Sequence, residues 1–162
     1  MSFGAGSRAL RRGRVSLSGC VYLVTTLSAS RAPLFADFHD ARCVVRALHS
    51  VAPQAQTMAY VLMPDHLHWL LRLGEGTNLS ALVGLVKRRA SKWINRDSPL
   101  PKRVWAAGFH DHALRKEEDL GAVARYIVLN PVRAGLVKSW RHYSHWDAVW
   151  LPLPGAADNR ER

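Results

Sequence analysis

Three short motifs in this 162-residue chain carry side chains that could do chemistry. The first is His66-Leu67-His68, which follows the apolar run Tyr60-Val61-Leu62-Met63 and a Pro64-Asp65 break. Side chains alternate along a strand, so His66 and His68 face the same way. Two imidazoles side by side on a rigid sheet make half of a divalent-metal site. An isolated His-x-His is more often a pair of ordinary polar residues on a half-exposed strand. Here the flanks are strongly apolar and place the strand centrally, where two imidazoles need partners. The second motif is Tyr126 with Asn130. Residues four apart share one helix face, so a phenol and a carboxamide are presented together. Each also has a plainer reading: an aromatic core contact, and a C-terminal cap before Pro131. The third is His110-Asp111-His112 on a strand, with the two histidines on one face and Asp111 on the other. It reads as a second ligand pair, a DNA-contact edge or a solvated edge strand, and the last two together outweigh the first.

The elements that must position these residues follow from pattern. Gly19–Leu27 is rich in β-branched and aromatic residues and reads as a strand. Val44, Val45, Leu48 and Val51 repeat at helical spacing and predict a helix over residues 38–51, ended by Pro53. Thr57–Met63 and His66–Leu73 are two strands joined by the tight Pro64-Asp65 turn. Thr77 or Asn78 caps a second helix whose apolar side is Leu79, Leu82, Val83, Val86, Trp93 and Ile94. A loop spans Asn95–Arg103, and a fourth strand lies within Phe109–Leu114. Glu117, Glu118 and Asp119 are expected in the first turn of a third helix, where its dipole favours acids. That helix should end near Asn130, before Pro131. The tail from Val132 is aromatic and basic. The order β-α-β-β-α-β plus a third helix predicts an α+β fold: a ferredoxin-like sandwich, an antiparallel sheet with helices on one face. The expected boundaries are a flexible basic arm over 1–16, one domain over 17–150 and a disordered tail over 151–162.

A formal net charge of +11 favours a polyanionic partner. No apolar run is long enough to span a bilayer, so no membrane is expected. Two cysteines without a CxxC fit reduced thiols in a cytoplasm and give no disulfide framework. The arm contributes Arg11, Arg12 and Arg14. The densest basic region is Lys87-Arg88-Arg89 and Lys92 on the second helix. A solvated helix surface is the simpler account of such a run, but with this overall charge phosphate contact is the better one.

Three of these stretches together resemble the single-tyrosine (HUH) transposases of the IS200-like insertion-sequence type, closest to the branch associated with repetitive extragenic palindromes (REP). They are residues 60–68, then Val104-Trp105 through Gly108-Phe109-His110-Asp111-His112, then Tyr126-Ile127-Val128-Leu129-Asn130-Pro131-Val132-Arg133-Ala134-Gly135-Leu136-Val137. They occur in the family's order. The resemblance implies that His66 and His68 are metal ligands, that Asn130 is the third, and that the ion is Mg²⁺ or Mn²⁺. It implies that Tyr126 is the nucleophile, borne on a C-terminal catalytic helix. Many relatives carry Asn where this chain has Asp65, and an acid there would join the ligands' surroundings. The implied partner is single-stranded or hairpin DNA, gripped by the basic residues above with Arg115 and Arg133. His110, Asp111 and His112 are possible auxiliaries. The enzyme is implied to work as a monomer or a homodimer.

The chemistry itself follows from the residue types. A phenol has a reference pKa of about 10, so it must lose its proton or be assisted before it attacks a phosphodiester. A bound metal would polarise that phosphate. By resemblance the product is a 5′-phosphotyrosine and a free 3′-hydroxyl. Two alternatives stand beside this one. A basic module could grip hairpin DNA or RNA without cutting. A zinc hydrolase could use His66, His68, His110 and His112, although no Glu base stands beside either pair.

Overall fold

The computed structural model describes residues 16–115 and 118–149. Arg11, Arg12 and Arg14 of the expected arm, and the expected tail over 151–162, lie outside the described residues. Five strands form one sheet: β1 (Val21–Leu27), β2 (Ala55–Met63), β3 (His66–Leu73), β4 (His110–Ala113) and β5 (Trp146–Ala148). Their order is β4-β1-β3-β2-β5, and every neighbouring pair is antiparallel. β3 slots between β1 and β2, as the split βαβ order requires.

Helix α1 (Phe38–His49) starts where the Asp37 side chain accepts the Asp40 amide at 2.9 Å. Helix α2 (Leu79–Ile94) starts where the Asn78 side chain accepts the Ala81 amide at 3.0 Å. These caps satisfy amides that the first turn leaves without partners. Both helices cover one face of the sheet. They bury Val44, Val45, Leu48, Leu82, Val83 and Val86 against Tyr22, Val24, Leu67, Trp69, Leu71 and Leu73. The opposite face carries a second core of Val21, Met58, Val61, Met63 and Leu70. Helix α3 (Leu120–Val128) seals it with Ala124, Ile127 and Val128. Leu67, Trp69 and Leu71 belong to the first face, so alternation puts His66, His68 and Leu70 on the second, with α3.

Several expectations are corrected. Glu118 and Asp119 do not lie in the first turn of α3, and Glu117 falls outside the described residues: the helix begins at Leu120, and Asp119 is its cap, accepting the Ala122 amide at 3.1 Å. Glu118 instead takes the Arg115 amide at 2.6 Å and the His112 Nε2 at 3.1 Å. The third helix does not run to Asn130. It ends at Val128, and a separate four-residue turn, α4 (Asn130–Arg133), follows. Pro131 has no N–H to give the Ile127 carbonyl four residues back. The Asn130 side-chain nitrogen donates to that carbonyl instead, at 3.1 Å. The aromatic tail holds β5, which no pattern announced. Three residues, Trp146-Asp147-Ala148, are too few to show alternation. They are recruited by pairing with Ala59, Tyr60 and Val61 at the open edge of β2.

Candidate active site

Register builds the site. Thr25 of β1 pairs with His68 of β3 on one side and His110 of β4 on the other, and His68 pairs with Val61 of β2. Directly opposite residues share a face. His110, Thr25, His68 and Val61 therefore form one row across the sheet, on the α3 side. The next row is Leu27, His66 and Met63. The two imidazoles meet edge to face, with centroids 4.8 Å apart.

Each ring is held through Nδ1. Nδ1 of His66 donates to Asp65 Oδ1 at 2.6 Å, and Nδ1 of His68 lies 2.8 Å from Thr25 Oγ1. That leaves Nε2 of each ring as its remaining ligand atom. Asp65 is itself braced: its Oδ2 accepts from Arg31 Nε at 3.1 Å and Nη2 at 3.0 Å. Partial burial pushes the Asp65 carboxyl up, but the bonds from His66 and Arg31 outweigh it and hold it below the usual range. Ser30 and Arg31 have φ of 54° and 51°, a left-handed pair without glycine. Such backbone persists where the surroundings hold it, and here it delivers the guanidinium fork to Asp65. Burial, the neighbouring His66 and the charge of Arg133 together push His68 down to about 4, so it is a neutral imidazole at ordinary pH.

Tyr126 is on the last full turn of α3 and is 45% exposed, far more than its core neighbour Ile127. Its ring is covered on one face by Arg133 of α4, whose Cζ is 4.0 Å from the ring centroid. The same guanidinium donates to the Tyr126 carbonyl. The α3–α4 break thus brings Arg133 over the phenol and within electrostatic range of His68. Asn130, half-buried, spends its side-chain nitrogen on Ile127, which leaves its carboxamide oxygen to face other partners.

Other predicted residues are placed differently. α2 covers the face opposite the histidines, so Lys87, Arg88, Arg89 and Lys92 lie across the sheet from His66 and His68. The Lys87 ammonium donates to the carbonyls of Ala106 and Gly108, each at 2.8 Å. Arg89 is tied to the carbonyl and hydroxyl of Ser50 at 2.9 and 2.8 Å. Arg88 and Lys92 stay exposed, as does Arg115. His110 and His112 face the α3 side on an exposed edge strand, and His112 pairs with Glu118. Asp111 points to the other face, opposite Val24. Among the described residues no three His, Cys, Asp or Glu side chains converge on one point, so the four-histidine zinc centre is not formed there. Thr25 and Arg31 escaped the sequence reading. Both lie more than 30 residues from the side chains they hold: strand register joins Thr25 to His68, and the left-handed turn at Ser30-Arg31 brings Arg31 to Asp65.

The donor set bears on a divalent cation. Two imidazoles are oriented through Nδ1, one of them is kept neutral, and a carboxamide oxygen is left over on α4. A carboxylate behind a ligating histidine, as Asp65 stands behind His66, is a usual means of fixing its tautomer. The residues fit such an ion.

Comparison with known proteins bears on fold and lineage. The family described as "Transposase IS200 like" matches residues 16–130. A Haemophilus influenzae protein assigned as a REP-associated tyrosine transposase is 28% identical over 102 residues, 55% of this chain and 58% of that one. The REP-associated tyrosine transposase of Escherichia coli K12 is 31% identical over 81 residues, 49% of this chain and 46% of that one. The chain thus spans about half the length of these curated relatives. A solved REP-associated tyrosine transposase bound to a REP hairpin superposes with a TM-score of 0.67 at 24% identity, covering 82% of this chain and 79% of that one. A Deinococcus radiodurans protein assigned as a transposase gives 0.52 at 20%, covering 71% and 93%. At these identities the two solved structures establish the fold, and the family match, covering well over half of the chain, establishes the lineage: this chain belongs to the IS200-like transposase family.

Proposed function

We propose that this protein nicks and rejoins single-stranded DNA beside a hairpin, with Tyr126 as nucleophile and a 5′-phosphotyrosine as intermediate. The observation that carries the reading is that the histidine pair lies on the sheet face covered by α3, the helix that bears half-exposed Tyr126 with Arg133 stacked on it. That shared face supports a single site for the nucleophile and the histidine pair. His66 and His68, through Nε2, and Asn130, through its carboxamide oxygen, would hold Mg²⁺ or Mn²⁺; imidazole ligands suit Mn²⁺ better. When bound, the cation supplies Lewis-acid polarisation of the scissile phosphate.

The chain's own residues do the rest. Asp65 accepts from His66 Nδ1 and so directs its Nε2 to the ligand, and Thr25 orients the His68 ring through the same ring nitrogen. Tyr126 presents a half-exposed hydroxyl to the phosphate. Attack breaks the P–O3′ bond and conserves its energy in the phosphotyrosine, so rejoining to another 3′-hydroxyl needs no ATP. Hairpin DNA as the partner is supported by the solved relative, which is bound to one. Exposed Arg88 and Lys92 sit on the opposite layer, so a duplex stem gripped there would reach around the sheet edge to the cut strand.

The test is adduct formation on a hairpin-flanked single-stranded oligonucleotide in Mn²⁺. Wild type should give a covalent band resistant to SDS, absent in Tyr126→Phe. His66→Ala should abolish it while leaving hairpin binding within about threefold. Equal cutting by Tyr126→Phe contradicts the reading. Binding with no cutting by wild type supports the non-cutting module instead.

A further inference from the structure

We infer that Arg133 is a catalytic residue of this cleavage, its guanidinium receiving the scissile phosphate while it holds the Tyr126 ring for attack. This rests on the function proposed above and adds the group that meets the charge on the phosphate.

Three observations lead there. Arg133 ends α4 on the exposed surface, and its Cζ stands 4.0 Å from the Tyr126 ring centroid. One N–H is spent on the Tyr126 carbonyl; a guanidinium has five, so most of the fork stays open. Among the described residues no carboxylate pairs with it, whereas Arg31 and Arg125 each have one. A planar fork with no carboxylate partner, stacked on the nucleophile, fits bidentate phosphate recognition.

The step balances as follows. The phenolic proton of Tyr126 passes to solvent, and Oη bonds to phosphorus as the P–O3′ bond breaks. The 3′-oxygen takes a proton from solvent and leaves as a hydroxyl. Throughout, the guanidinium sits on the non-bridging oxygens, where phosphoryl transfer draws most of its catalysis from positioning and charge. A lysine could supply charge but neither the flat stacking surface nor the fork.

The experiment measures single-turnover adduct formation at saturating oligonucleotide in Mn²⁺, using the full chain. Arg133→Ala should slow it by about 10²–10³-fold, as expected for one lost charge-stabilising donor. Arg133→Lys should recover part of that loss. Binding is then measured in EDTA with a neutral methylphosphonate at the mapped cut position. Wild type should bind this probe about tenfold more weakly than the natural strand, while Arg133→Ala should bind both alike. Arg133→Gln repeats both arms if the Ala variant melts lower than wild type. An Arg133→Ala rate equal to wild type, or equal sensitivity of both proteins to the neutral linkage, overturns the inference. If wild type itself forms no adduct, the cleavage reading fails and takes this one with it. If wild type forms it and Arg133→Ala keeps pace, the failure is confined to Arg133.

Discussion

At the scale of single residues, the two histidines depend on groups that their own motif does not contain. Asp65 Oδ1 and Thr25 Oγ1 engage the two Nδ1 atoms, and Arg31 braces Asp65. Removing such a partner commonly costs about 10–100-fold in metal affinity. Asp65→Ala and Thr25→Val should therefore each weaken Mn²⁺ binding by that order, read by the EPR signal of free Mn²⁺ in titrations without DNA. Asp65→Asn should lose less, because a carboxamide oxygen still accepts from Nδ1. Unchanged affinity in both Asp65→Ala and Thr25→Val would show that the rings need no help. The His pair was legible because period-2 spacing on an apolar strand leaves little freedom. Thr25 was not, because nothing in Thr25-Thr26 says which strand will lie beside it. Arg31 was hidden further by its left-handed backbone, which no Ser-Arg dipeptide signals.

At the scale of elements, basic residues that look alike in sequence have different work. Lys87 clips the 106–108 segment to α2, whereas Arg88 and Lys92 are exposed. Lys87→Ala should lower stability by about 1 kcal/mol, the cost of losing charged-donor hydrogen bonds to one half-buried and one exposed carbonyl. It should leave the salt dependence of DNA binding unchanged. Arg88→Ala and Lys92→Ala should do the reverse, each reducing the slope of log K against log[salt] by about one. Thermal melts and a salt series separate the two; a shallower slope in Lys87→Ala would return it to the DNA. The central strands and α2 were legible because they are long and strongly periodic. α3 was legible in place but not in its ends. Asp119 caps rather than enters the helix, and Pro131, read as a stop, also starts the next turn. β5 owes its existence to the vacant edge of β2, a tertiary fact.

At the scale of the whole molecule, the sheet separates two cores, and only the α3 core borders the histidines. No helix among the described residues is long and apolar enough to cross a membrane. Tyr126 and the histidine pair lie on the same side of the sheet of one chain, and we propose that they form one site within a single copy. Mixing Tyr126→Phe with His66→Ala should then restore no adduct. Recovery of activity in the mixture would mean that the nucleophile serves a second copy. Global stability should also fail in alkali in a defined way. Tyr60 is 5% exposed, and burial first, then the neighbouring Asp147, pushes its phenol up to about 12. The unfolded chain releases that proton near pH 10 and the folded one does not. Stability is therefore full below pH 10 and falls as pH rises towards 12, by about 3 kcal/mol from this group. Denaturant titrations from pH 9 to 12 should show a shallower loss in Tyr60→Phe than in wild type. Parallel curves would mean that the phenol is not responsible.

The most direct single measurement is the identity of the residue joined to DNA. Wild type is incubated with a single-stranded, hairpin-flanked oligonucleotide in Mn²⁺, digested with trypsin, and the nucleotide-bearing peptide is sequenced by mass spectrometry. The predicted result is a 5′-phosphate ester on Tyr126, with a free 3′-hydroxyl on the released strand. A nucleotide on any other residue, or cleavage with no linked peptide at all, would contradict it.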